Sequence, residues 1–201
     1  MGFSGIFGKS ALLAMPVAAG LLVWEVSGAR SQAATPDTGP IVTYTASGTF
    51  ATPQVIGDDT LKLAGEPFTI NIQAPASSAP IQHGPNWAVL SPFKMTGEVH
   101  SGLLGTSPVN IASTGASIFE AVGPDYDPFE TGFPVKVVGI SLTINATFTL
   151  PAGTFTKPLI HPFAPVSLSP TNSTVVYSNG TDSTTLTIAS GTLVGTLPSG
   201  N

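Results

Sequence analysis

The stretch Gly123–Pro134, GPDYDPFETGFP, brings together three acids and three aromatic rings in a chain of which only 8% is charged. Calcium takes six to eight oxygens from carboxylates, carbonyls and water. Asp125, Asp127 and Glu130 would supply some of these, although their spacing is not that of an EF-hand loop. One interpretation is therefore an irregular calcium site on these three acids, completed by backbone carbonyls or by a distant acid such as Asp59.

The aromatic residues of this region offer a second interpretation, a ligand-binding surface. Trp87, Tyr126 and Phe129 would form a platform that stacks on a sugar ring, while nearby polar side chains bind its hydroxyls. A third interpretation is purely structural, because the stretch contains the prolines of a rigid connection, Pro124, Pro128 and Pro134. Of the three, we favour the turn.

Catalytic motifs are incomplete in this sequence, and we expect no catalytic function. A glycoside hydrolase needs two carboxylates across a cleft, for which Glu98 and Glu120 are the best pair. Asp37-Thr38-Gly39 resembles the aspartic-protease tripeptide but has no second copy to share the proton. The histidines, His83, His100 and His161, are scattered and lack metal-ligand spacing.

Composition narrows the classes of protein further. The 201 residues favour one domain with a core of its own, and the absence of cysteine excludes disulfides and thiolate chemistry. Eleven acids against six bases give a formal charge of −5, so nucleic acid is not an expected partner. We expect no cofactor except, in the first interpretation, calcium. Three Asn-x-Thr sequons, Asn145, Asn172 and Asn179, would be glycosylated only in a host that modifies them.

The N-terminal segment reads as an export signal. Lys9 precedes an uncharged apolar run, and Ser31 and Ala33 suit the −3 and −1 positions of a signal-peptidase site. A membrane anchor is the weaker interpretation, because the run is short for a span and Glu25 interrupts its end. We therefore predict a signal-peptide helix in residues 1–33 and a mature domain of residues 34–201. The mature protein would be secreted, extracellular or periplasmic, with no membrane contact after cleavage.

Period-two alternation dominates the rest of the chain and predicts half-buried strands with threonine-rich outer faces. The clearest are residues 41–50, 68–73 and 141–150. Eight weaker candidates are residues 87–90, 93–100, 109–113, 117–122, 135–138, 174–177, 184–188 and 192–197. Many short strands separated by Gly, Pro, Asn and Ser are typical of an all-β fold. We predict an antiparallel β-sandwich, with a β-barrel as the alternative.

The runs TYTASGTFATPQVIGDDTLKLAGEPFTINI, TLPAGTF and GTDSTTLTIASGTL resemble exported bacterial all-β proteins of uncharacterised function. Some members of that group carry a C-terminal sorting anchor, which we do not find here. The resemblance implies export and a sandwich, and it supplies no catalytic residues. We expect an exported non-catalytic protein with a structural, surface or matrix role. The alternatives are a carbohydrate-binding module, with or without calcium, and a glycoside hydrolase; the expected partners are polysaccharide or further copies of the chain.

Overall fold

The computed structural model describes residues 40–197 except residues 58, 106–107, 138, 157–159 and 171, and of residues 53–56 it describes the backbone alone. The chain divides into two units, Met1–Thr35 and Pro36–Asn201. The predicted signal peptide and the Asp37-Thr38-Gly39 tripeptide lie outside the described residues. All of the described strands belong to the second unit.

Ten strands form one antiparallel sheet. They are β1 (Ile41–Ile56), β2 (Pro67–Pro75), β3 (Gln82–His83), β4 (Trp87–Val99), β5 (Val109–Ala121), β6 (Tyr126–Val137), β7 (Ile140–Pro151), β8 (Phe163–Ser167), β9 (Thr174–Ser178) and β10 (Ser183–Thr196). The all-β class is confirmed. In the described part of the chain there is no helix long and apolar enough to cross a membrane.

The sheet closes on itself, because β1 pairs with β2 on one side and with β10 on the other. Eight strands, in the order β1-β2-β4-β5-β6-β7-β9-β10, make this barrel-like circuit. At the closing seam Gly48 lies opposite Gly191, and a Cβ on Gly48 would stand 2.3 Å from the carbonyl oxygen of Ser190. Glycine therefore lets the two strands approach closely. The sandwich is not confirmed, and the barrel alternative fits.

The alternation of the sequence is confirmed as the inward and outward faces of this closed sheet. Residues 41–50, 68–73 and 141–150 all lie in strands. Their apolar side chains predicted to face inward are all buried: Val42, Tyr44, Ala46, Phe50, Phe68, Ile70, Ile72, Leu142, Ile144, Ala146, Phe148 and Leu150. The interior is accordingly a packed hydrophobic core, as small barrels require.

The turn predicted for Gly123–Pro134 is wrong for most of its length. Only Gly123–Asp125 connect two strands, and β6 begins at Tyr126 and runs through Pro134. β6 pairs with β7 along its whole length, but its ladder with β5 stops at Gly132. The ladder ends two residues before Pro134, a residue that has no N–H to donate.

Two short strands were not predicted, β3 and β8. β8 and β9 together occupy one place beside β10: β8 pairs with Thr192–Gly195 and β9 with Ser183–Thr187. Between them the chain leaves β10 and bonds to β7, where the N–H of Ser169 donates to the carbonyl of Thr149. The sequence predicted interruptions at residues 91–92 and 189–191, but β4 and β10 each continue through them. In β4 the pairing with β5 shifts register between Leu90 and Phe93.

Candidate functional site

Apolar side chains gather on the outer surface of β4, β5 and β6, near the end of the barrel where β4 and β6 begin. Trp87 pairs with Ala121 of β5, and Phe119, two residues earlier on β5, pairs with Glu130 of β6. Tyr126 begins β6 on the same outer side, because its neighbour Asp127 faces inward. We call Trp87, Phe119, Ala121, Tyr126 and Pro128 the aromatic face.

Trp87 and Tyr126 are the exposed members of the aromatic face. Trp87 is 36% exposed and Tyr126 is 49% exposed. Phe119 is half-buried, and its ring centroid lies 6.3 Å from that of Trp87 with the planes inclined at 30°. One side of the Trp87 indole is thus held by a neighbouring ring while part of its surface remains open to water.

The turn before β4 also positions the Trp87 indole. The N–H of Gly84 donates to the carbonyl of Trp87 at 2.8 Å, which closes the turn between β3 and β4. A Cβ on Gly84 would stand 2.3 Å from Nε1 and 2.8 Å from Cε2 of the indole. Only glycine therefore lets the indole lie against the backbone of this turn.

We expect Gly84→Ala to displace the Trp87 indole while leaving the barrel folded. The added methyl group occupies the place of the indole edge, and an exposed ring moves away at a cost of about 1 kcal/mol or less. In a chain carrying Trp24→Phe, so that Trp87 is the one tryptophan left, the emission maximum and quenching of its fluorescence report the movement.

Gly115→Ala in the same background is the matched control for this prediction. Its new Cβ would meet only the Pro134 ring, at 3.9 Å, which is an ordinary contact. Identical emission spectra for the Gly84→Ala and Gly115→Ala proteins would show that Gly84 does not position the indole.

The third residue of the predicted platform, Phe129, does not belong to the surface. Its side chain is 0% exposed and packs in the interior, 5.1 Å from the ring of Tyr44 and 6.3 Å from that of Phe148 between centroids. Side chains alternate between the two faces along a strand, and Phe129 points inward because it is on the same face of β6 as Asp127 and Phe133. Its place in the predicted ligand surface is corrected, and half-buried Phe119 takes that place.

The three acids of the predicted calcium site do not converge. Asp127 is fully buried inside the barrel, whereas Glu130 is on the outer side of the same strand and Asp125 is exposed in the preceding turn. Both Asp127 oxygens already accept backbone hydrogen bonds, Oδ1 from Gly123 at 3.1 Å and Oδ2 from Phe155 at 2.7 Å. Asp127 is therefore a structural residue that fastens two loops to the barrel.

Asp59, the distant acid considered for calcium, also has both carboxylate oxygens in hydrogen bonds within the protein. Its Oδ1 accepts from the N–H of Leu63 at 3.0 Å and from the hydroxyl of Tyr177 at 2.9 Å, and its Oδ2 accepts from the N–H of Ala64 at 2.9 Å. These bonds hold the β1–β2 loop over the other end of the barrel. In the part of the chain that the structure describes, no three acidic or histidine side chains group as metal ligands.

The candidate glycosidase pair is far apart. Glu98 pairs with Asn110, while Glu120 pairs with Ala88, ten residues earlier than Glu98 on β4. Ten residues of strand span about 30 Å, against the roughly 5 to 10 Å that separate the two carboxylates of a glycosidase. The Glu98 side chain is also exposed and lies 3.5 Å from His100 Nε2, whereas Glu120 is fully buried. This pair cannot act on one glycosidic bond.

Glu120 brings a carboxyl group into the interior of the barrel. Its Oε1 accepts from the hydroxyl of Tyr44 at 2.9 Å, and that hydroxyl accepts from the N–H of His161 at 3.1 Å. Its Oε2 is buried and has no hydrogen-bond partner among the described residues. Burial raises the pKa of Glu120 to about 8, although the bond from Tyr44 opposes this, so the carboxyl is largely neutral at pH 7.

Tyr44 completes this cluster from the opposite wall of the barrel. Burial, and then the charge of Glu120, raise the pKa of Tyr44, so the phenol remains a hydrogen-bond donor. From the sequence, Glu120 was considered as one of the two carboxylates of a glycosidase, together with Glu98, and not as a buried acid. Its shared parity with buried Ile118 on β5 was the available signal that it faces inward.

Comparisons of this chain with protein-family models, with curated proteins and with solved structures found no match. The aromatic face is thus the candidate site on its geometry alone.

Proposed function

We propose that the protein is an exported, non-catalytic surface or matrix protein that holds polysaccharide on its aromatic face. The observation that carries the proposal is the exposure of Trp87 and Tyr126 on one outer surface, backed by Phe119. Export rests on the predicted signal in residues 1–33. The far separation of Glu98 and Glu120 supports binding without hydrolysis.

Sugar rings suit a surface of this kind, because they present an apolar C–H face and a polar rim of hydroxyls. Trp87 on β4 and Tyr126 on β6 are two strands apart, which is about 10 Å and spans more than one sugar of a chain. Asn86, Asp125 and Glu130 are exposed around them and supply hydrogen-bonding groups for hydroxyls. Stacking provides apolar area, and these few polar groups provide orientation.

Calcium has no part in this proposal, since both oxygens of Asp127 are bound by N–H groups. Self-association through sheet edges is the weaker proposal. The β1–β10 pairing closes the eight-strand circuit, and closure removes the long free edges that such association requires.

We expect Trp87→Ala to weaken polysaccharide binding by about 30-fold, which corresponds to the roughly 2 kcal/mol of an aromatic residue central to an interface. Affinity electrophoresis of the full chain through gels containing soluble polysaccharides measures the effect. Leu103→Ala is the matched control, because Leu103 is an exposed apolar residue, 49% exposed, in the β4–β5 loop at the other end. Equal retardation of the Trp87→Ala and unsubstituted proteins would contradict the proposal.

A further inference from the structure

We propose that the aromatic face selects glycan chains that carry protonated amino groups, such as polymers of glucosamine, over acetylated and acidic chains. This inference rests on the proposed function and names the class of its ligand. It is carried by the position, surroundings and lack of partners of two acids that border the aromatic rings, Glu130 and Asp125.

Glu130 stands directly beside an aromatic ring on the outer surface. It pairs across β5 and β6 with Phe119, whose ring is in turn the neighbour of Trp87. Loss of hydration by these surroundings raises the pKa of the Glu130 carboxyl. Among the described residues, Glu130 has neither an ion pair nor a side-chain hydrogen bond. Because this outward-facing carboxylate has no partner among the described residues, a ligand cation placed here would gain a charge-assisted contact without breaking an existing one.

Asp125 places a second carboxylate at the other exposed ring. It precedes Tyr126 in the chain and is exposed in the β5–β6 turn. The two acids are five residues apart, with Tyr126 and Pro128 between them on the same outer surface. Both acids lie on the β6 side of the aromatic face, so a chain that crosses from Trp87 on β4 would meet them where it reaches β6.

The described lysines do not offset these acids. Lys94 pairs with Gln73 toward the middle of the barrel, Lys136 pairs with Ser141 at the far end, and Lys62 lies in the β1–β2 loop that covers the far end. Apart from His83, which pairs with Ala88 next to Trp87, the described titratable side chains that border the aromatic face are acids, and these would repel a chain of uronic acids.

A protonated amino sugar matches both features of the surface. Its ring stacks on Trp87 or Tyr126, and its ammonium group donates charge-assisted hydrogen bonds to Glu130 or Asp125. An ammonium group near the indole gains a further attraction from the ring face. An N-acetyl group on the same sugar keeps the stacking but removes the charge, so the two chains differ in one feature only.

The test compares three hexasaccharides by calorimetric titration of the full chain in near-neutral buffer, where glucosamine is partly protonated and Glu130, whose pKa is raised, ionises more fully than in acid. The probes are the hexamers of glucosamine, N-acetylglucosamine and galacturonate. We expect the glucosamine hexamer to bind about tenfold more tightly than the acetylated hexamer, as one charge-assisted bond provides, and the galacturonate hexamer to bind most weakly. The preference is expected to shrink as salt is added.

Glu130→Gln removes the charge and keeps the shape of an exposed side chain, so we expect it to abolish most of this preference and to leave binding of the acetylated hexamer unchanged. Glu98→Gln, at an exposed acid far from the aromatic face, is expected to leave the preference intact. Equal affinity of the unsubstituted chain for the glucosamine and acetylated hexamers would overturn this inference while the proposed function stands. Failure of all three hexamers to bind, with retardation in gels of other polysaccharides retained, would overturn this inference alone, whereas loss of retardation in every gel would overturn the proposed function as well.

Discussion

Glu120→Gln is expected to make the protein more stable at pH 8 by about 3 kcal/mol. Glu120 is 0% exposed and its Oε2 has no partner among the described residues, so the carboxyl is held in its neutral form. The interval from its ordinary pKa of 4.5 to about 8, at about 1.4 kcal/mol per pH unit, corresponds to about 5 kcal/mol. Glutamine cannot ionise and so avoids this cost. Its buried amide hydrogens lack acceptors, however, which destabilises the variant by about 2 kcal/mol.

The sign of the pH dependence follows from the direction of the pKa change. Below pH 4.5 the carboxyl is neutral in both the folded and the unfolded chain, and its contribution to folding is complete. Between pH 4.5 and about 8 the unfolded chain has lost the proton while the folded chain keeps it, so stability falls as pH rises. Above pH 8 both states are ionised and the contribution levels off.

Urea unfolding of the unsubstituted, Glu120→Gln and Glu98→Gln proteins across this pH range measures the effect. The other titratable groups around Glu120 are Tyr44, which bonds to it, Asp127 on the neighbouring strand, and His161, whose ring packs on Phe155; all three remain in every variant. We expect a falling curve for the first and third proteins and a flatter one for Glu120→Gln. Parallel curves for all three proteins would show that protonation of Glu120 does not cause the pH dependence of stability.

Asp127→Ala is expected to destabilise the fold by about 4 kcal/mol. The carboxylate accepts from the N–H groups of Gly123 and Phe155, and its removal leaves two inner N–H groups without partners, at about 1 to 3 kcal/mol each. The loss is expected to be the same with excess calcium and with chelator, because the oxygens are engaged by the backbone. The denaturation midpoint in urea is the measurement.

Asp125→Ala is the control, since Asp125 is exposed and changes at such positions stay within about 0.5 kcal/mol. A similar, small loss for both variants would contradict the structural role of Asp127. A loss of stability for Asp127→Ala that appears only when calcium is present would indicate that Asp127 binds the metal.

The strands were predictable where alternation is local and continuous. Residues 41–50 and 141–150 carry the pattern in every second position, and both lie in strands. Of β6, only the end was predicted, as residues 135–138, because Pro128, Pro134 and the acids before them are typical of turns. Its partner β7 pairs with it along its whole length, and such pairing is a long-range property that a local pattern does not contain.

Closure of the sheet was beyond the sequence for a similar reason. Thr43 of β1 pairs with Thr196 of β10, near the opposite end of the described chain, and the same alternation serves a sandwich or a barrel.

The site was predictable in part. Trp87 and Tyr126 are exposed, but Phe129 and Asp127 were assigned to the surface because residues 126–134 were not recognised as part of a strand. Once the extent of β6 is known, the alternation of side chains along the strand places both Phe129 and Asp127 inside the barrel.

The most direct test of glycan binding at the aromatic face is the fluorescence of Trp87 in a full chain carrying Trp24→Phe, where no other tryptophan remains. A sugar that stacks on the indole removes water from it and shifts its emission. Titration with the glucosamine hexamer is predicted to give a saturable blue shift that Tyr126→Ala weakens and Leu103→Ala leaves unchanged. An emission spectrum that stays constant with every soluble glycan tested would contradict the account.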